Sequence, residues 1–140
     1  MTKIVALAFV AAALAAAAAA AAAAAPNAHA ASSRVSAGAK LFTVNCTGCH
    51  GATGLGEPGI FPSLVANPYV SGDPKRVIHT VKYGLTGKIV AKGVKYDGVM
   101  PAWKGSLSDA QIADVISYIR TTWGNKGSLV TAAEVRAVTK

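Results

Sequence analysis

The chain has 140 residues, with 14 Lys and Arg against six Asp and Glu, a net charge of +8, and 52% hydrophobic residues. That length suits one small domain and excludes a second domain of ordinary size. The hydrophobic share says little about the core, because an alanine tract near the N-terminus inflates it.

Residues 1–30 read as a signal peptide. Lys3 supplies a positive start, Ile4 to Leu14 and the following alanines an apolar centre, and Ala28-His29-Ala30 an A-x-A cleavage site. The competing reading keeps this segment as a membrane anchor, since Ile4 to Ala25 is long enough to span a bilayer. Alanine is only weakly apolar, and the cleavage site favours removal. The mature domain is then 31–140, with a core over about 36–124 and a peripheral tail over 125–140. Removing thirty residues from 140 leaves 110, and losing Lys3 lowers the net charge from +8 to +7. An exported chain with no arginine cluster argues against nucleic acid as the partner of this positive charge.

In chain order, Ser36 to Val44 reads as a short helix with Ser36 as its N-cap. Gly38 and Phe42 lie four apart on one face, and a glycine there suits a helix crossed closely by another. Cys46-Thr47-Gly48-Cys49-His50 follows, and its cysteines are the only two in the protein. This is the attachment sequence of a c-type haem: two thiols spaced to reach neighbouring vinyl groups, then an imidazole for the iron. Three other readings compete. A thioredoxin-like dithiol requires a preceding strand and a βαβ pattern, and neither is visible. A structural zinc requires four ligands, and the mature chain adds only His79 as a strong nitrogen donor. A plain disulfide leaves His50 without a role.

Gly51 to Pro74 is rich in glycine and proline and reads as a wrapping loop, with Leu55, Ile60, Phe61 and Leu64 lining a pocket. Asp73-Pro74 opens a helix that buries Val77, Ile78 and Val81 and stops at Gly84; His79 on it reads as a surface residue. Lys88 to Tyr96 resembles a short β-hairpin turning at Lys92-Gly93. Ser108 with Gln111 forms a capping box for the last helix, Leu107 is placed to staple on Ile112, and Ile112, Val115, Ile116 and Ile119 make its apolar stripe. Gly124 ends that helix.

A haem iron in an electron carrier keeps two axial ligands, and a thioether raises its potential relative to a second imidazole. The mature chain has one methionine, Met100, in the loop reading Val99-Met100-Pro101. His50 and Met100 are therefore the expected metal ligands.

With Gly38 to Phe42, Cys46 to His50, Gly59 to Leu64, Gly98 to Trp103 and Leu107 through Arg120 in place, the chain resembles the class I cytochrome c family. It is most similar to bacterial single-haem cytochromes and to cytochrome domains linked to dehydrogenases and oxidases. The resemblance implies an all-α fold, with helices wrapped around one covalently attached haem c and a short hairpin before the Met100 loop. It implies that Gly38 and Phe42 meet the last helix near Tyr118. It also implies a proline carbonyl accepting the Nδ1 proton of His50, from Pro62 or, as the alternative, Pro58. The expected function is one-electron transfer in a periplasmic respiratory or dehydrogenase-linked chain, without small-molecule substrate or catalysis. The alternatives are a dedicated subunit of a dehydrogenase or nitrite-reducing complex, and a haem sensor or peroxidase. Residues 73 to 104 hold seven of the cations against Asp73 and Asp97. Acidic docking surfaces on redox partners are therefore expected, and membrane association only with an uncleaved leader.

Overall fold

A computed structural model of the chain describes residues 28–140. The signal-peptide expectation falls almost wholly on residues 1–27, outside the described residues. Among the described residues no helix is long and apolar enough to cross a membrane. The site belongs to a compact unit from Arg34 to Lys140; of the other unit, Met1–Ser33, residues 28–33 are helical.

The first described helix, α1, runs through residues 28–45. It is followed by α2 (Thr47–His50), α3 (Pro68–Ser71), α4 (Pro74–Tyr83), β1 (Leu85–Ala91), β2 (Val94–Met100), α5 (Asp109–Thr121) and α6 (Ala132–Ala137). The fold is helical with one antiparallel hairpin. Ser36 is not an N-cap: it lies inside α1, because the alanine-rich stretch before it contains no glycine or proline to stop a helix.

Helix α1 crosses α5 at Gly38. A methyl group there would stand 2.0 Å from the Asp114 carbonyl oxygen and 2.9 Å from Tyr118 Cβ, so only a bare backbone permits the crossing. One turn on, Phe42 is 1% exposed and packs on Tyr118 and Trp123 with ring centroids 5.7 and 5.0 Å apart. Arg34 Nε donates to Asp114 at 3.0 Å, tying the same two helices together.

Helix α5 carries the expected capping box, with Gln111 N–H donating to Ser108 Oγ and Ser108 N–H donating to Gln111 Oε1. Ile112, Val115, Ile116 and Ile119 are buried as the stripe predicts. The helix stops at Thr121, before Gly124. Its last carbonyls are satisfied from beyond, Ile119 by Asn125 Nδ2 at 2.9 Å and Arg120 by Gly127 N–H at 2.9 Å.

Two further expectations change. The segment after His50 is not loop throughout, because Asn67 caps a single helical turn, α3, that begins with Pro68. The segment beyond 124 is not peripheral: Val130 and Val135 are fully buried, and α6 has its own capping box from Thr131 and Glu134. Polar side chains that periodicity cannot flag hold it in place. Lys82 Nζ donates to the Val135 and Val138 carbonyls at 2.6 and 2.8 Å, and Ser117 Oγ donates to Val130 at 3.2 Å. Arg120, 1% exposed, donates from Nη1 to the Val70 and Gly72 carbonyls and from Nε to Ser128. Burial pulls its guanidinium below the ordinary value against the opposing pull of Asp73 and Glu134.

Two outcomes test this packing. Gly38→Ala, which on an open helix would stabilise, should here cost about 1–3 kcal/mol through overpacking, read by denaturant unfolding of the haem-loaded protein. A gain in stability would show that the crossing is looser. Arg120→Met removes the donor from three carbonyls and should cost about 1–3 kcal/mol or more, the scale of leaving a buried polar group unpaired. An unchanged unfolding midpoint would mean that water replaces the guanidinium.

Candidate functional site

Directly after α1 the chain makes the one-turn helix α2, with Cys46 at its N-cap position and His50 as its last residue. His50 N–H donates to the Cys46 carbonyl at 2.9 Å, so the turn is closed. Residues three and four apart on a helix share a face, which brings Cys46, Cys49 and His50 to one side. All three line a cavity of about 1190 Å³.

The loop after α2 presents Pro62. Gly56 N–H donates to the His50 carbonyl at 2.9 Å, and Glu57 and Phe61 exchange backbone hydrogen bonds at 2.8 and 2.7 Å. A Cβ on Gly56 would lie 2.3 Å from the Phe61 oxygen, so the loop closes only over glycine. This arrangement sets the Pro62 carbonyl oxygen 3.0 Å from His50 Nδ1; Pro58 is exposed and takes no part in this bond. A carbonyl only accepts, so Nδ1 carries the proton and Nε2 keeps its lone pair. Burial lowers the His50 pKa and the Pro62 carbonyl opposes that shift; the net fall favours the neutral ring. Cys46 is pushed up to about 11 by burial and by the neighbouring Cys49, and both thiols are free.

Met100 reaches the same cavity from the hairpin. It is the last residue of β2, paired with Leu85, rather than part of a loop as expected. The hairpin runs from Leu85 to Met100, longer than Lys88 to Tyr96, and turns at Lys92 and Gly93 with φ of 51° and 80°, matching the strand twist. Beyond Met100 the chain is tied to the end of α4, with Trp103 N–H donating to the Val81 carbonyl and Lys104 N–H to that of Lys82, each at 3.0 Å.

The walls are largely apolar and come from α1, α4, α5 and the hairpin, among them Phe42, Val77, Val81, Val115, Ile119 and the 7% exposed Tyr96. Ile60, Phe61 and Leu64 line it as expected, whereas Leu55 is 59% exposed and points away. The donor set of two thiols, one imidazole with a free Nε2 and one thioether, facing an apolar hollow, fits a haem. It does not fit zinc: no three His, Cys, Asp or Glu side chains among the described residues gather to hold a metal ion, and His79 is exposed and lies tilted against Tyr83, ring centroids 5.2 Å apart. Nor, among the described residues, does a strand precede the cysteines, as a thioredoxin-like dithiol would need.

Sequence reasoning missed Tyr96, Trp103 and the asparagine hub behind the loop. Asn125 Nδ2 donates to the Leu64 carbonyl at 2.8 Å, while its Oδ1 accepts from Asn67 N–H at 2.9 Å. The partners are 58 and 61 positions away, so no local pattern marks them. Lys82, one of the seven cations of residues 73 to 104, is 5% exposed and spent on backbone carbonyls rather than free to meet a partner.

Residues 33–119 match the family described as cytochrome C oxidase, cbb3-type, subunit III. The chain is 40% identical over 92 residues to cytochrome c-552 of Thermus thermophilus, a match covering 63% of this chain and 69% of that protein. It is 39% identical over 101 residues to the cytochrome c subunit of the quinone alcohol dehydrogenase of Gluconacetobacter polyoxogenes. It is 35% identical over 106 residues to the cytochrome c subunit of gluconate 2-dehydrogenase from Pantoea cypripedii. Those two matches span only 21% and 24% of the relatives' length. By the span of the family match and by these relatives, the chain belongs to the cbb3-type oxidase subunit III family of c-type cytochromes.

Proposed function

We propose that this cytochrome is a one-electron carrier holding one haem c, with Cys46 and Cys49 as thioether anchors and His50 and Met100 as axial ligands. The observation that carries the reading is the convergence of all four side chains on one apolar cavity, with His50 already oriented by Pro62. When bound, haem supplies a ferric/ferrous couple; the rest is the work of the chain. The thiols of Cys46 and Cys49 would hold the haem covalently, each by adding its S–H across one vinyl double bond. The Pro62 carbonyl fixes the His50 tautomer and raises the basicity of Nε2. The cavity walls exclude water, and the hairpin presents the Met100 sulfur.

The relatives of this chain are named as a cytochrome c-552 and as cytochrome c subunits of dehydrogenases, and electron transfer is the work of this chain. With both His50 and Met100 bound to the iron, no position would be left for a substrate, which would separate a carrier from a peroxidase or gas sensor. A dedicated dehydrogenase subunit is the second reading, favoured by the dehydrogenase-linked relatives. The same reading places the protein in the periplasm, supported by the signal-peptide pattern of residues 1–30 in the sequence and by the attachment motif, which is matured outside the cytoplasm.

The charge distribution supports an acidic partner. Lys88, Lys92 and Lys95 are exposed on the hairpin and Lys104 just beyond it, all close in sequence to Met100. Such a group of cations would steer encounter without demanding tight binding.

Two measurements test the reading. Met100→His should keep the haem and lower the potential by a sizeable part of the roughly 0.8 V that axial ligation controls, because imidazole favours ferric iron more than a thioether does. An unchanged potential would remove Met100 as ligand. Raising ionic strength shortens the Debye length from about 30 Å at 0.01 M to about 10 Å at 0.1 M. Electron exchange with the physiological partner should slow markedly over that range. Lys92→Glu with Lys95→Glu should slow it at low salt and flatten the salt dependence, with the potential nearly unchanged; wild-type rates would exclude the hairpin from the docking surface.

A further inference from the structure

The register of the hairpin sets Gly87 opposite Gly98. Directly opposite residues share a face, and side chains alternate along each strand. Leu85 with Met100, Gly87 with Gly98, and Ile89 with Tyr96 therefore stand in three successive rows on one side, and all six residues line the cavity. The middle row has no side chains.

Glycine inside a strand weakens it, so two facing each other call for a reason. Gly87 has one in its backbone, at φ +97°. Gly98 does not. Its φ lies outside the positive range, and a methyl group on it would meet only the Ile60 carbonyl oxygen, at 4.0 Å. Neither the backbone nor the packing of the chain against itself excludes a side chain at position 98. Yet position 98 stands two residues before Met100 on the same face, about 7 Å along the strand.

We propose that Gly98, with Gly87 across from it, forms a side-chain-free window in the cavity wall against which the haem ring lies on bare backbone, so that Gly98 is a positioning residue for the Met100–iron bond. The inference rests on the haem reading of the same cavity. A side chain at 98 would hold the ring away from the row that carries Met100 and lengthen or break the iron–sulfur contact. The fold itself would be undisturbed, since the hairpin is closed by backbone pairs and the turn. Outward-facing Thr86, exposed on the opposite side of the hairpin and not part of the cavity lining, serves as the internal control.

The test uses the exported haem-loaded protein with Gly98→Ala, Gly98→Leu, Thr86→Leu and Met100→Ala. The readouts are the weak long-wavelength ferric absorption of iron–sulfur ligation, the potential, and the unfolding midpoint. Partial loss of the band in Gly98→Ala and full loss in Gly98→Leu are expected, with a lowered potential in both. Thr86→Leu should keep the band. Full bands and unchanged potentials in both Gly98 variants would overturn the window. Equal loss in Thr86→Leu would also overturn it, as a general effect of perturbing the hairpin. If Gly98→Leu does not accumulate, Gly98→Ala decides alone: an intact band with an equal or higher unfolding midpoint refutes the proposal. Met100→Ala separates this from the underlying reading, because a band that survives there shows that Met100 is not the ligand, whatever Gly98 does.

Discussion

The close crossing of α1 and α5 is the constraint on which the site depends. With no side chain at Gly38, the two backbones approach until a methyl group would overlap the Asp114 carbonyl. That approach places Phe42 against Tyr118 and Trp123 and delivers the end of α1, and hence α2, beside the apolar stripe of α5. Val115 and Ile119 on that stripe and Cys46 and His50 on α2 then look into one cavity. Without the crossing, the attachment motif would be a helical turn on a surface, with thiols and imidazole but no hollow behind them.

The second determinant is the use of buried cations as backbone clamps. Lys82 and Arg120 sit in the interior without a carboxylate in hydrogen-bond contact, and each is satisfied by main-chain carbonyls. Charge-assisted bonds of this kind are stronger than neutral ones, and removing the donor leaves several acceptors dry at once. They bind three stretches lacking extensive secondary structure of their own: the residues around α3, the chain after α5, and α6. In a domain of this size, with a large cavity lined by part of its core, such clamps replace packing that a larger protein would supply from side chains.

The hairpin joins the two halves of the function. Its inward face contributes the Met100 row and the apolar rows beside it, and its outward face and turn carry Lys88, Lys92 and Lys95. A redox centre must be shielded from water yet reachable by a partner. On the proposed function, a two-stranded ribbon would do both because its faces alternate residue by residue.

The sequence by itself determined most of the helices and singled out residues that the fold brings together. Cys46, Cys49, His50 and Met100, which meet at one cavity, stand out because the motif is local and because residues 31–140 hold a single methionine. The capping box of α5, the Asp73-Pro74 start and the stripe of α5 are legible because caps and periodicity act within a few residues. Gly38 announced a crossing, since a glycine inside a helix is costly unless something comes close. Only the tertiary structure decided the rest: Pro62 over Pro58, the place of Met100 at a strand end, the integration of residues 125–140, and the hub at Asn67 and Asn125. Each depends on a donor meeting an acceptor brought near by the fold, often from dozens of residues away. A buried polar residue is distinguished from an exposed one by its partners, and partners at that separation leave no trace in spacing or periodicity.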